Sequence, residues 1–296
     1  LPSTLLSVFD VTVLGSANLD LVVRTERHPS PGETLLGDDF NEYPGGKGLN
    51  QAVAAARSGA STSFVGAIGT DGAGRTLRSV AEIDGLDLSQ LADCDGVPSG
   101  RAIITVDHSG ENSIVVVPGA NAAVAAPASI SARVVLCQLE VPLHAVTNAF
   151  RAGRDKGATT ILNPAPATHL PVELLSLCDI VVPNEHEVGL LGGVDALFAA
   201  GVATVVTTRG GQGVEIHTAG GERHSISAPE VSVIDTTGAG DTFCGAFAAR
   251  LAHGASMNEA IKWAIAASAL AVGQPGAIPS IPDAGATWRF LCELNS

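Results

Sequence analysis

Two stretches of this chain carry residues whose types and spacing could do chemistry. The late one reads Asp235-Thr236-Thr237-Gly238-Ala239-Gly240-Asp241, followed by Thr242 and Phe243. Short side chains at 238–240 let a large anion approach the backbone. A helix beginning there would point its free N–H groups at that anion. The apolar spacing predicts this helix over 239–252, stopping before His253-Gly254. Asp241, in its first turn, suits a helix-dipole partner or, beside an anion cradle, a general base. The chain contains no G-x-x-x-x-G-K-[ST] loop, and Phe243 stands where a dinucleotide fingerprint needs its third glycine. The turn therefore points to phosphate without either of the commonest phosphate-binding folds.

The early stretch is Pro44-Gly45-Gly46-Lys47-Gly48-Leu49-Asn50-Gln51, leading into AVAAARSG. On a helix starting here Gly46 and Asn50 are i, i+4, and Lys47 and Asn50 are i, i+3, so they share a face. An amide and an ammonium there can donate to hydroxyl or phosphate oxygens. Asn18 and Asp20 follow the first β-like run, where ligands gather in open α/β sheets. Asp20 could accept from two vicinal hydroxyls, which suits a sugar; an Asx turn would use the same residues. Glu140 follows the run 134–138, a place also typical of a solvated strand cap. Asn184 and Glu187, in Asn184-Glu185-His186-Glu187, could organise a hydrated Mg²⁺ near phosphates. No second histidine stands at a zinc spacing, so His186 is expected to face solvent. Thr208-Arg209-Gly210-Gly211-Gln212-Gly213 is a strand end and a Gly-rich turn, by itself only a hairpin signal.

The elements that must position these residues alternate along the chain. Helical periodicity falls near 46–58, 72–83, 142–156, 185–200, 239–252 and 257–272. β-Branched runs occupy 11–15, 62–67, 134–138, 159–162, 179–182 and 203–208. That alternation predicts an α/β fold with a largely parallel sheet between two helical layers. Continuous apolar runs such as Val134-Val135-Leu136 agree, because a parallel strand is buried on both faces. Residues 20–41 and 97–117 instead alternate apolar with polar, with a hairpin tip at Asp107–Asn112. They are expected to form a small discontinuous β lid, leaving 1–19, 42–96 and 118–296 as the main domain. The lid's apolar outer face could pair with a second copy.

Bulk properties narrow the classes. The 296 residues, 46% hydrophobic and 16% charged, describe a globular chain with a sizeable core. A net charge of −14 argues against binding nucleic acid or an anionic membrane. An anionic substrate would then need local dipoles, a few cations or a metal. Five cysteines without a C-x-x-C pair fit neither a disulfide framework nor structural zinc, and suggest a reducing cytoplasm. The opening LPSTLLSVFDVTVLG lacks a basic n-region, and the apolar run near 264–272 is too short to span a bilayer. A soluble, cytoplasmic protein is expected.

With these residues in order, the chain resembles the ribokinase (PfkB) family of carbohydrate kinases from the first strand to Ser280. Gly45-Gly46-Lys47-Gly48 and the 235–243 stretch carry the resemblance, with Asn163-Pro164-Ala165-Pro166-Ala167 and Asn184-x-x-Glu187 between them. It implies a three-layer α/β/α sandwich with a β lid that closes on the sugar and often forms the dimer interface. Among family members the ribose-phosphorylating ones are most similar, through Asn18-Leu19-Asp20, Pro118-Gly119-Ala120-Asn121-Ala122-Ala123 and Gln138-Leu139-Glu140. The resemblance implies that Asn18, Asp20, Gly46, Lys47, Asn50 and Glu140 hold ribose. It makes Asp241 the base that takes the proton of the sugar's 5-hydroxyl as this attacks the γ-phosphate of ATP, with the N–H groups of Gly238, Ala239 and Gly240 as the anion hole. Asn184, Thr208, Gly210, Gly213 and Gly240 would meet the nucleotide, and Glu187 would hold Mg²⁺ through water. Asp235, Thr237, Ala271, Gln274, Gly276 and Ser280 match a K⁺ site built mostly of carbonyls. Ile265 departs from the polar residue that family members often place near the base. A related sugar, deoxyribose or a nucleoside stays open as substrate, as does a non-catalytic sugar-binding regulator.

Overall fold

A computed structural model describes residues 8–294. Residues 1–7, the start of the opening apolar run and of the expected main domain, lie outside that range. Thirteen strands occur among the described residues. They are Phe9–Leu14 (β1), Asn18–Arg24 (β2), Asp39–Gly45 (β3), Thr62–Gly69 (β4), Leu91–Cys94 (β5), Gly100–Val106 (β6) and Asn112–Val117 (β7). The remainder are Ala132–Cys137 (β8), Thr159–Leu162 (β9), Ile180–Val181 (β10), Thr204–Thr208 (β11), Val214–Thr218 (β12) and Arg223–Ile226 (β13). The helices are Lys47–Arg57 (α1), Gly72–Ile83 (α2), Leu143–Arg154 (α3), Val172–Leu175 (α4), Glu185–Leu190 (α5), Val194–Ala199 (α6), Ala239–Ala252 (α7), Met257–Ala271 (α8) and Ala284–Leu294 (α9).

Nine strands form one sheet in the order β13-β12-β11-β10-β9-β8-β1-β4-β5. From β11 to β5 every pairing is parallel; β12 and β13 add an antiparallel edge. Alternate strand residues feed opposite cores, as the period of two requires. Val134 and Leu136 pack with Leu49, Phe243, Phe247 and Ala264 under α1, α7 and α8. Val135 and Cys137 pack with Val146, Phe150, Leu174 and Leu197 under α3, α4 and α6. The expected three-layer sandwich is therefore present.

The predicted helix 185–200 is two short helices. Gly192 and Gly193 both take positive φ (86° and 89°), which breaks the periodic pattern between α5 and α6. The β12–β13 hairpin, α4 and α9 had no counterpart in the sequence reading.

A second sheet, in the order β3-β2-β6-β7, stands beside the first. The β2–β3 pairing runs from Asn18↔Gly45 to Arg24↔Asp39, so the small sheet reaches past residue 41 to the start of α1. The Val106↔Asn112 pair closes the β6–β7 hairpin around residues 107–111. Among the described residues no helix is long and apolar enough to cross a membrane.

Candidate active site

In the sheet order, β1 lies between β8 and β4, so the chain leaves β1 to one side and returns on the other. Such a reversal opens a crevice at the carboxyl ends of the strands. Asn18, Glu140, Asn163, Asn184 and Thr208 all follow or end strands of this region.

The turn into α1 requires glycine. Gly46 has φ 91°, and a Cβ there would lie 2.6 Å from the Asn18 backbone nitrogen. This closeness draws the start of the small sheet onto the helix. Asn18, 2% exposed, receives a hydrogen bond from Asn121 Nδ2 at 2.7 Å and directs its own amide toward Glu140 Oε2 at 3.4 Å. Glu140 Oε2 also accepts from Ser16 Oγ at 2.5 Å and from the Lys47 N–H at 3.2 Å. Glu140 is thus no solvated strand cap: it ties the end of β8 to the end of β1 and the start of α1.

Asp241 sits in the first turn of α7 and is 7% exposed. Neighbouring residues of α1 hold both of its oxygens. Asn50 Nδ2 donates to Oδ2 and Gln51 Nε2 to Oδ1, each at 2.9 Å. The two helices meet closely because Gly245, one turn along α7, has no side chain. A Cβ there would stand 2.2 Å from the Gln51 carbonyl oxygen and 2.6 Å from Ala54 Cβ.

Acidic groups crowd this pocket. Burial, then Glu140 and Asp241, push the Asp20 carboxyl up to about 7. The Asp241 charge holds the Lys47 ammonium above its usual range, against the opposing effect of burial. Burial also raises Glu187.

Three cavities meet here, and Thr236 borders all of them. One, of about 250 Å³, is lined by apolar side chains including Val231, Val233, Phe243 and Ile265, with Gly210 and Gly213 on its rim. The next, of about 200 Å³, is polar: Lys47, Asn184, Glu187, Thr208, Gly240 and Asp241 face it. The third, of about 400 Å³, lies under the small sheet against Asp20, Asn41, Tyr43 and Asn112. The cleft therefore passes from apolar, through cationic and acidic, to a mixed lining with Asp20, Asn41 and Asn112.

The resemblance implies equal parts for the three N–H groups of the 238–240 turn. In the structure the Ala239 N–H donates to Thr236 O at 3.2 Å, while Gly238 and Gly240 have no acceptor among the described residues. Gly238 adopts left-handed backbone geometry, φ 73°, at the start of α7.

Asn184 and Glu187 bond each other reciprocally, each N–H to the other's side chain at 2.8 Å. Each side chain is half engaged as a helix cap. The remaining carboxylate oxygen of Glu187 suits a hydrated cation better than a fully coordinated one. Among the described residues no cluster of three or more His, Cys, Asp or Glu could hold a metal. The residues matched to a monovalent cation lie on two adjacent loops. Asp235 accepts from the Thr237 N–H at 2.9 Å and the Gly276 N–H at 2.8 Å, which joins them. Ala271 O receives the Gln274 N–H, and Ser280 Oγ donates to Ala277 O. Carbonyl-rich turns of this kind fit a weakly hydrated cation. His186 is exposed, as expected.

Gln51, Gln138, Asn163, Ser16 and Asn121 have no role in the expectations from sequence, yet Gln51, Ser16 and Asn121 bond to Asp241, Glu140 and Asn18, and Gln138 and Asn163 bond to Gln51. The available signal was a glutamine and an asparagine amid runs of Ala, Val and Leu, where an apolar residue is the rule.

Comparison with known proteins shows the family. A family model for pfkB family carbohydrate kinases matches residues 8–284. A ribokinase of Staphylococcus aureus (strain COL) is 41% identical over 293 residues, spanning 92% of this chain and 96% of its own. A deoxyribokinase of Salmonella typhi is 34% identical, spanning 93% of this chain and 96% of its own. The solved structure of Arabidopsis thaliana ribokinase complexed with ribose and ATP superposes with a TM-score of 0.87 at 33% identity. It covers 96% of this chain and 99% of that one. This chain belongs to the pfkB family of carbohydrate kinases.

Proposed function

We propose that this chain transfers the γ-phosphoryl group of ATP to the 5-hydroxyl of D-ribose, giving ribose 5-phosphate and ADP. The observation that carries the proposal is the place of Asp241. It is buried, held at both oxygens, and lines the polar cavity, which meets the cavity under the small sheet at Thr236. The likeness to ribokinases at 41% identity over nearly the whole chain supports ribose as the sugar.

Ribose would lie between Asn18, Asp20, Gly46, Lys47, Asn50 and Glu140, with its 5-hydroxyl toward Asp241. Asp241 takes the hydroxyl proton as the oxygen forms its bond to the γ-phosphorus and the bond to ADP breaks. The Gly238 and Gly240 N–H groups, with Ala239 between them, meet the charge on the transferred group. ATP would extend from Asn184 and Gly240 past Thr208, Gly210 and Gly213 into the apolar cavity. Mg²⁺, reached through water from Glu187 and Asn184, would neutralise phosphate charge that few protein cations can balance. A K⁺ on the carbonyls of the loops bearing Asp235, Thr237, Ala271, Gln274, Gly276 and Ser280 would order the turn behind the anion hole.

Residues 20–41 and 97–117, with the flanking ends of β2 and β3, would act as the lid over the main domain. Its edge strand β7 leaves Ile114, Val115, Val116 and Val117 exposed, which favours a homodimer through the small sheet. Cys94, Cys137, Cys178 and Cys244 form no disulfide, in keeping with a cytoplasmic protein.

Deoxyribose is the second reading, favoured by the likeness to a deoxyribokinase. A nucleoside suits the site less, since the cavity under the small sheet offers Tyr43 as its one aromatic. The test is a panel of ribose, 2-deoxyribose and nucleosides with ATP, scored by kcat/KM, in K⁺ and again in Na⁺ at constant ionic strength. Ribose should lead and K⁺ should raise its turnover. A lead for 2-deoxyribose would overturn the substrate, and equal rates in both salts would overturn the cation site.

A further inference from the structure

Gln51 is fully buried on α1 among alanines and valines, where a primary amide is costly unless its polar atoms are partnered. Its two amide hydrogens have two acceptors, Asp241 Oδ1 at 2.9 Å and Asn163 Oδ1 at 3.1 Å. Its oxygen accepts from Gln138 Nε2 at 2.6 Å. Asn163 in turn donates to Val182 O at 2.9 Å. The direction of each amide follows from chemistry. An ionised carboxylate only accepts, so Gln51 turns its NH₂ to Asp241 and its oxygen to Gln138. Asn163 must then receive with its oxygen and donate with its nitrogen. Anchors just beyond β8, β9 and β10 thus converge through one side chain on one oxygen of Asp241.

We infer that Gln51 is a positioning residue for the phosphoryl transfer. Held by Gln138 and Asn163, it fixes the plane of the Asp241 carboxylate through Oδ1 and leaves Oδ2, shared with Asn50, for the reacting hydroxyl. This rests on Asp241 being the base. A carboxylate torsion is broad and roughly two-fold, so rotamer preference alone does not set that plane. An amide suits the task because it directs the carboxylate without the full charge by which an ammonium would oppose protonation. Every polar atom of the Gln51 side chain is engaged, whereas among the described residues Asn50 Oδ1 and Gln138 Oε1 are buried without a partner, so Asn50 is not locked in the same way.

The test is Gln51→Met, which keeps length and removes the donor. Turnover should fall about 10- to 100-fold with the KM values for sugar and ATP nearly unchanged, as a misplaced reacting group predicts. In an Asp241→Asn background the same substitution should cost no further turnover, because the two residues act as a unit. A high-resolution crystal structure of Gln51→Met should show the Asp241 carboxylate rotated or in two orientations. That readout needs no activity: if no sugar is phosphorylated, the functional reading fails while the positioning role is still judged. Unchanged turnover, an equal loss in both backgrounds, or an unmoved carboxylate would each overturn the role. Should Gln51→Met not fold, Gln138→Met frees the amide while keeping its contact. It should lower turnover in the same direction by a smaller factor, and wild-type turnover there would overturn the role as well.

Discussion

On the proposed function, the two ends of the cleft recognise sugar and nucleotide by different means. At the sugar end, side chains would do the work: Asn18, Asn50, Glu140 and Asp241 are buried or half-buried and bonded to Ser16, Asn121, Gln51 or one another, and Asp20 is half-buried within reach of the Glu140 and Asp241 charges. At the nucleotide end, the surface is apolar or bare backbone, from Val231 and Ile265 to Gly210, Gly213 and Gly240. A site of buried, prearranged hydrogen-bonding groups rejects an analogue strongly, because a missing hydroxyl leaves those groups unpaired. A site of apolar walls discriminates weakly. The sugar end should therefore set both chemistry and specificity, and the nucleotide end should mainly supply affinity.

The largest effect should come from the residue where the ends meet. Asp241→Asn keeps the shape and loses the proton acceptor, so kcat should fall by at least about 10²-fold with ribose binding largely kept. Steady-state kinetics with ribose calorimetry would check it. Turnover near wild type would show that the sugar end binds without contributing a base, and the contrast between the ends would lose its chemical half.

How far the site could be read from sequence follows the same divide. The glycine-rich turns at 45–48 and 238–240 are local, and short side chains beside a helix start point to close backbone approach by a ligand without a structure. The continuous apolar strands gave the parallel sheet for a similarly local reason. The amide relay was hidden because its members are far apart in the chain. Gln51 lies 87 residues from Gln138, 112 from Asn163 and 190 from Asp241. Only the fold brings them together. The local position of Glu140 leaves a strand cap open beside a ligand contact, because its three donors, from Ser16 after β1, Asn18 of β2 and Lys47 of α1, are distant in sequence. The break at Gly192-Gly193 was missed because the apolar period continues across it. Nothing in the period reveals that both glycines leave helical geometry.

A middle-sized effect should come from the proton on Asp20. Its carboxyl is raised to about 7, first by burial and then by Glu140 and Asp241. Below that pH the neutral form prevails and can no longer accept from two hydroxyls; above it the carboxylate can. The KM for ribose should therefore fall about tenfold from pH 6 to pH 8, while the KM for ATP stays nearly flat. Asp20→Asn should remove the dependence. A parallel change in both KM values, or a dependence kept by Asp20→Asn, would place the titrating group outside the sugar end.

The smallest effect should be the choice of nucleotide. The polar side chains on the apolar cavity are Thr208, Thr236 and Ser268. Thr208 and Thr236 also border the polar cavity, at the phosphate end, and Ser268 Oγ donates to Ala239 O at 2.8 Å. No side chain is then left to read the exocyclic groups by which adenine and guanine differ, and Ile265 presents only hydrocarbon. With shape and dispersion as the means of recognition, ATP should lead GTP in kcat/KM by at most about tenfold. Ile265→Asn, which supplies a donor and an acceptor to the cavity, should widen the gap in favour of whichever base it can pair. A wild-type preference of about 10⁴ would mean that backbone groups read the base, and the two ends would then be equally selective.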